Sequence, residues 1–387
     1  MTAPLHKLTI LDFSPLLPGP FATRLLADLG ATVIRIESPS RPDLVRHLPP
    51  FVEGTSAAHA YLNRNKRSLA LDLKAEGARE AVLALVKTAD VLVEQFRPGV
   101  MERLGLGYSA LAEHNPRLIY CSITGYGQTG PLRDRAGHDI NYLALTGLSA
   151  GSGRDDGGPP PLGAQIADVA GGSLHAVIGI LAALRQRDAD GLGQHIDIAM
   201  ADCALHLNAL TASAALAGQN TLPEQGLLNG GSHYDYYRCR DGKWLAVGSL
   251  EPTFLTTLCN TVGLPGLAAE LGRAPQKAKV ALAARLAEET QAFWRAQFAE
   301  VDACVEPVLT LPEALDSELA RQRGWTVDVP HGKGCLRQPA MPIRFSRAEA
   351  NYGHAGGEVG QDSETILREA GLDETTISTL RTSKALG

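Results

Sequence analysis

The sequence predicts an α/β protein with a Rossmann-like large domain built on a parallel sheet and a smaller α+β domain after it. Three observations carry that expectation. Short apolar or β-branched runs alternate with helix-spaced segments through the first half of the chain, the pattern of β-α-β units with parallel strands. The texture changes near residue 220, where two β-rich runs flank a tight turn. The 387 residues, 44% of them hydrophobic, fill two or three folding units without a disulfide or metal staple.

Taken in order, LTILDF from Leu8 is the first strand, and the turn-rich SPLLPGP leads into a helix over residues 21–29. ATVIRIE then ends a second strand at Glu37. An acid there matches the ribose-binding position of dinucleotide folds, but the first turn lacks G-x-G-x-x-G, so no nicotinamide site is expected. SLALDL from Ser68, VLVEQF from Val91 and LIYCSI from Leu118 are further strands. Between them lie a helix in AEGAREAVLALVKTA from Ala75 and a short helical stretch at 101–104. The last strand closes in the glycine-rich TGYGQTGP.

Helices are expected at about 139–148, 167–186 and 200–216, with QHIDIA as one more strand before the last of them. Beyond residue 220, HYDYYRCRDGKWLAVGS reads as a hairpin turning at Arg240, Asp241 and Gly242. A helical stretch over 275–298 follows, then PVLTLPEAL and a Pro/Gly-containing stretch at 330–342. A final helix near 374–380 could belong to either unit. The expected divisions are 1–220, 221–330 and 331–387.

Charge narrows the function. Lys and Arg total 36 against 42 Asp and Glu, a formal charge of −6, so binding to nucleic acid through global positive charge is excluded. A small anionic ligand held by a local basic cluster is not. Cys121, Cys203, Cys239, Cys259, Cys304 and Cys335 form no CxxC pair, which argues against zinc and for reduced cytosolic thiols. The N-terminus has no long apolar region of a secretory signal. The longest apolar stretch, LHAVIGILAAL from Leu174, is too short to span a bilayer and predicts a buried helix. A soluble, cytoplasmic protein with no membrane partner is the expectation.

Three segments carry residues suited to chemistry. In GHDINY from Gly137, a glycine-rich loop opens a helix. His138 is placed to act as a base, and the Asp139 N–H could face a developing oxyanion; alternatively Asp139 only caps the helix. In QIADVAGGSLHAVIG, Asp168 sits in the first turn of an apolar helix ahead of Gly171 and Gly172. Each helical glycine costs about 1 kcal/mol relative to Ala, which implies a close backbone or ligand contact. An acid in that setting should hold its proton toward neutrality, unless it merely complements the helix dipole. In AVGSLEPTF, Glu251 leaves an apolar strand where a helix begins, placed either to orient a histidine or to cap. Basic residues cluster at Arg64, Lys66, Arg67, Lys74, Arg97 and Arg103 around expected strand ends, where α/β sheets bind ligands.

LADLGATVIRIESP, NRNKRSLALDLK, ADVLVEQFRPGVMERLGLGY, ITGYGQTGP and GILAALRQRDADGLGQHIDIAM together resemble the family III CoA-transferase superfamily (CaiB/BaiF type) over nearly the whole chain. GHDINYLALTGL, the AD-x-AGG run, AVGSLEPTF, DACVEPVLT and MPIRFSR resemble most the α-methylacyl-CoA racemases within it. The resemblance implies an interlocked homodimer with an acyl-CoA substrate and a large domain closed by the C-terminal segment. It also implies an active site completed across the dimer.

Under that resemblance His138 is the base on one face of the substrate and Asp168 the acid on the other. Glu251 of the partner subunit orients the histidine. Asp139 matches the transferase nucleophile, its N–H serving the enolate in a racemase. Arg64, Lys74, Arg97 and Arg103 fall in segments that contact CoA, with Leu71, Leu73 and Gly137 lining the ligand. Proton transfer between two faces of the α carbon needs two acid/base groups and no metal or redox cofactor. One departure stands out. GAQIAD replaces the NLLAD-like run of the racemases before Asp168 and leans toward the transferases, leaving a CoA-transferase using Asp139 as the alternative.

Overall fold

The structure is a computed structural model that describes residues 3–154, 157–219 and 222–387. Six strands form one wholly parallel sheet: β1 (Thr9–Asp12), β2 (Thr32–Glu37), β3 (Lys66–Ala70), β4 (Val91–Glu94), β5 (Ile119–Thr124) and β6 (His195–Ala199). Their order is β3-β2-β1-β4-β5-β6. The direction of winding reverses between β1 and β4, and ligands of open α/β sheets bind outside the strand ends at such a point. Strands covered by helices on both faces are apolar nearly throughout rather than alternating. Accordingly β4 and β5 are buried along their whole length.

The chain divides into two compact units, Met1–Thr146, Leu162–Leu207 and Arg321–Gly387 in one, Gly147–Pro161 and Asn208–Ala320 in the other. The contact boundaries fall at Asn208 and Arg321 rather than at 220 and 330, and Gly147–Pro161, which lies within the expected first division, belongs to the second unit. In the first unit, helix Ala78–Val86 buries Ala78, Ala81, Val82 and Leu85 against Leu11, Leu69 and Leu92 of the sheet. The C-terminal helices Ser363–Glu369 and Glu374–Thr382 add Ile366, Leu367, Ile377 and Leu380 to the same core. Burying each of these large side chains is worth about 1.5–3 kcal/mol. The tail is therefore bound into the sheet domain by its apolar residues, and the last helix belongs to the first unit.

The second unit is a three-stranded antiparallel sheet with helices. Asp235–Arg238 and Trp244–Val247 make the expected hairpin, and Val305–Pro307 joins its far side. Gly242, with φ 80°, supplies the left-handed residue that the turn requires. Its core surrounds Trp294, which is 1% exposed and donates its indole N–H to the Leu286 carbonyl.

Four expectations change. The helix foreseen over 200–216 is two, Met200–Leu207 and Ala209–Leu216, because Asn208 leaves helical geometry at ψ 37°. That over 275–298 is also two, Pro275–Leu286 and Gln291–Phe298, the second begun by the Thr290 hydroxyl accepting the Phe293 N–H. The Pro/Gly stretch near 330 is largely a hairpin, Thr326–His331 with Gly334–Pro339. The apolar segment from Leu174 lies within one continuous helix, Ala167–Asp190, of 24 residues. By length and composition that helix could cross a membrane, which corrects the reading of it as too short. In the first unit it packs on β5, and Ala176, Ile180, Ala183 and Leu184 are buried.

Candidate active site

Two helix starts in the first unit build the site. His138 is the N-cap of helix Asp139–Leu145, in extended geometry at φ −129° and ψ 173°. Asn141 fixes it from both sides. Its Oδ1 accepts the His138 N–H at 3.0 Å, and its own N–H donates to the His138 carbonyl at 2.8 Å. The imidazole is exposed, while Asp139 is half-buried. Tyr142 braces the loop leading in, with its hydroxyl donating to the Gly137 carbonyl at 2.6 Å. A Cβ at Gly125 or at Gly137 would meet the Tyr142 ring at 2.7 Å, so both positions exclude a side chain. Tyr126 meets the same ring edge-on at 5.2 Å.

The second start is Ala167–Leu174, wound as a π-helix before regular α-helix follows. Wide turns of this kind concentrate at functional sites. Close packing explains Gly172 but not Gly171, where a Cβ would meet only ordinary contacts at 3.4–3.8 Å. A Cβ at Gly172 would come within 3.1–3.2 Å of Met200 and Pro18. Side chains satisfy the carbonyls of this turn. The Ser173 hydroxyl reaches the Pro18 carbonyl at 2.7 Å and the Asp168 carbonyl at 3.1 Å. His175 Nδ1–H donates to the Ala170 carbonyl at 2.8 Å.

These starts meet where the Asp168 N–H donates to Oδ1 of Asp139 at 3.0 Å. Asp168 is half-buried, and its carboxyl is pushed up to about 6. Burial is the larger cause and the Asp139 charge the next, with His138 opposing them. The Tyr142 hydroxyl is pushed up to about 12 by burial and then by the Asp168 charge. Sequence expectation and geometry therefore put His138, Asp139 and Asp168 in one neighbourhood. It holds an exposed imidazole, a carboxylate accepting a backbone N–H, and a carboxyl raised above its ordinary range to about 6.

The remaining expected residues divide. Lys74, Arg97 and Arg103 are exposed and free to meet an anionic ligand. Gly137 adjoins His138 in the loop. Arg64 is different. It is fully buried, with Nε and Nη2 on Asp28 at 2.8 and 2.7 Å and Nη1 on the Pro339 carbonyl at 2.7 Å. Its donors tie the C-terminal segment to the sheet domain, so the expected CoA contact gives way to an internal ion pair. Leu71 is 1% exposed, in the core, and its N–H donates to the Glu37 carbonyl. It offers no ligand-facing side chain, unlike the half-buried Leu73. Glu251 belongs to the second unit, where it is exposed and is the N-cap of helix Pro252–Thr261, its carbonyl accepting the Leu255 N–H at 2.9 Å.

One basic residue was missed. A Cβ at Gly99 would lie 3.2 Å from Arg103 Nη1 and 3.9 Å from Arg133 Nη2, so two exposed guanidinium groups converge above that glycine. The PLRDR run beside the glycine-rich loop was the available signal.

Residues 5–363 match CoA-transferase family III. The chain is 37% identical to α-methylacyl-CoA racemase of Homo sapiens over 99% of this chain and 97% of that one. It is 32% identical to acetyl-CoA:oxalate CoA-transferase of Acetobacter aceti over 95% of each. Among solved structures, a CaiB/BaiF family protein from Brucella suis superposes with a TM-score of 0.83 at 30% identity, covering 96% of this chain and 100% of that one.

Proposed function

The chain belongs to CoA-transferase family III, and from that premise we propose that it is an α-methylacyl-CoA racemase. The observation that carries this reading is the Asp168 carboxyl, raised to about 6 beside His138. Inverting a carbon next to a thioester carbonyl needs a base on one face and a proton donor on the other. His138 takes the α proton, and the C–H electron pair moves onto the thioester oxygen as an enolate. Protonated Asp168 then delivers its proton to the opposite face, and the enolate electrons return to form the new C–H bond. In the reverse direction the roles exchange. The Asp139 N–H at the helix start serves the enolate oxygen.

Lys74, Arg97 and Arg103 are proposed to hold the CoA phosphates, and Leu73 and Gly137 to line its path. An interlocked homodimer is proposed in which Glu251 of the partner subunit orients His138. Ile140, Leu145 and Ile178 are 55–62% exposed on the same two helices, apolar surface that a second subunit would cover.

The alternative is a CoA-transferase in which Asp139 attacks an acyl-CoA. GAQIAD before Asp168 favours it, whereas the hydrogen bond from the Asp168 N–H to the Asp139 carboxylate occupies one oxygen of the would-be nucleophile. Incubating one enantiomer of a 2-methylacyl-CoA in deuterated water separates the two. Racemisation gives α-deuterium and loss of optical purity with no acceptor acid. A transferase requires a second carboxylic acid and leaves a hydroxylamine-sensitive acyl group on Asp139. Full exchange by His138→Ala would sink the two-base scheme.

A further inference from the structure

Glu94 ends β4 with a carboxyl that the proposed reaction does not use. It is 4% exposed. Its register partner on β5 is Ser122, which in turn pairs with Asp197 on β6. Register partners in a sheet project to the same face, so the three stand in one row.

The Glu94 carboxyl accepts two bonds. Its Oε2 takes the Phe96 N–H at 2.8 Å, and the Ser122 hydroxyl donates to it as well. With that proton committed, the Ser122 oxygen accepts the His195 Nε2–H at 2.9 Å. The His195 ring is fixed by stacking on Tyr108 at 5.7 Å and by meeting Tyr120 edge-on at 5.3 Å. The charges facing Glu94 are Glu102, from helix Val100–Arg103, and Asp197. Both are negative. Tyr120 and Cys121 of β5 also feel the carboxyl, and burial pushes both of them up, so they stay neutral. Burial pushes Glu94 itself up to about 7; the Ser122 and Phe96 bonds oppose that, and Glu102 and Asp197 add to it.

The Phe96 bond sets the course of the chain that follows. Gln95 pins the same turn from its other side, its Oε1 accepting the Gly19 N–H at 2.9 Å. The Arg97 carbonyl then accepts the Val100 N–H at 3.1 Å, and the Arg97 side chain is left exposed.

We propose that Glu94 is a positioning residue for Arg97, and that it takes up a proton when an anionic ligand settles on that arginine. The inference rests on the proposed function in one respect, that Arg97 holds a CoA phosphate. A phosphate there adds negative charge and neutralises the guanidinium, and both changes disfavour the carboxylate. The network accepts either state. Protonated Glu94 keeps one oxygen for the Phe96 N–H and donates to Ser122, whose hydroxyl turns to Nε2 of the other His195 tautomer. Binding is therefore tightest with Glu94 protonated and weakens as pH rises through neutrality.

Calorimetric titration of the full chain with 3′-dephospho-CoA tests it. That probe lacks the monoester phosphate whose second pKa, about 6, falls in the same range. Wild-type Kd should weaken about three- to tenfold from about pH 6 to about pH 8. Glu94→Gln keeps an oxygen for the Phe96 N–H but cannot titrate, and should flatten this dependence. Ser122→Ala removes a donor to the carboxylate and should move the midpoint up by about one pH unit. Positioning is read by a double-mutant cycle. Glu94→Ala should weaken Kd about tenfold alone but less than about twofold beside Arg97→Ala. Thermal melts check that each variant folds. A dependence that survives Glu94→Gln, a midpoint unmoved by Ser122→Ala, or equal costs of Glu94→Ala in both backgrounds overturns the inference. If Arg97→Ala leaves Kd unchanged, the phosphate assignment falls and the inference with it. If Arg97→Ala weakens binding but Glu94 does not couple to it, the inference alone falls.

Discussion

Two polar regions of the first unit differ in how their charges are settled. At the ends of β1 to β3, Asp12, Arg24, Asp28, Arg35, Arg64 and Lys66 are all buried, and each has an oppositely charged partner. Lys66 Nζ, for example, is held by Asp12, the Pro20 carbonyl and the Asn63 amide at 3.0–3.1 Å. Around His138 and Asp168 the partners do not balance. Two carboxyl groups share one corner, joined by a backbone hydrogen bond instead of an ion pair. Both regions are rich in titratable side chains. What separates the two is that the first neutralises its charges internally, while the second leaves a carboxyl whose proton affinity burial and a neighbouring carboxylate raise toward neutrality.

The largest test of this contrast is Asp168→Asn. Activity should fall by about 10²–10⁴, the span of general acid–base contributions, measured as α-deuterium exchange. Stability should move the other way. The folded carboxyl titrates near 6 and an unfolded one near 3.9, so the native state binds more protons between these values and loses stability as pH rises through them. After discounting for partial exposure, Asn should be favoured over wild type by about 1–2 kcal/mol more at pH 8 than at pH 4, read by urea denaturation.

Asp28→Ala probes the balanced region. It strands the Arg24 and Arg64 guanidinium groups and should cost about 3–5 kcal/mol in the same denaturation, with exchange per folded molecule preserved. Equal losses of activity in both variants would erase the distinction between the regions.

Acid supplies the next test. His59 donates Nε2–H to the Gly357 carbonyl at 3.0 Å and accepts the Asn63 amide at Nδ1, also at 3.0 Å, which fixes a neutral ring. Burial, then the Arg46 charge, pushes its pKa down to about 4. The unfolded imidazole takes up a proton near 6.5, so this stabilisation is complete above that pH and is lost as pH falls toward 4. The loss should be about 2–3 kcal/mol and should be flattened in His59→Gln. Acidification thus weakens the balanced region while it protonates Asp168. The smallest effect is expected at Arg67, paired with Glu369 at 2.6 Å on the surface. Arg67→Ala should change stability by under about 1 kcal/mol.

Local sequence made much of this legible. Most strands of the parallel sheet were visible as short apolar runs, because burial on both faces leaves no alternation to obscure them. β3 instead opens on Lys66 and Arg67, and β6 alternates, with His195 and Asp197 exposed. Helix starts were also legible at His138 and Glu251, where glycine or proline marks the entry. Helix continuity was not. Asn208 and Thr290 break segments whose apolar spacing runs on through them, and a single capping residue carries little weight against a periodic pattern. The basic cluster was read only as composition. Arg64 and Arg103 are the same residue type beside similar strand ends, yet one is fully buried and the other exposed.

The sequence by itself determined the β-α-β alternation and singled out His138, Asp139 and Asp168 of GHDINY and QIADV as candidates, since both reside in neighbours along the chain. Only the tertiary structure decided which charges remain available. Asp139 meets Asp168 across 29 positions, and Arg64 reaches Asp28 across 36 and Pro339 across 275. Those meetings are set by strand order and core packing, so the burial that commits Arg64 and raises Asp168 has no counterpart in any local pattern.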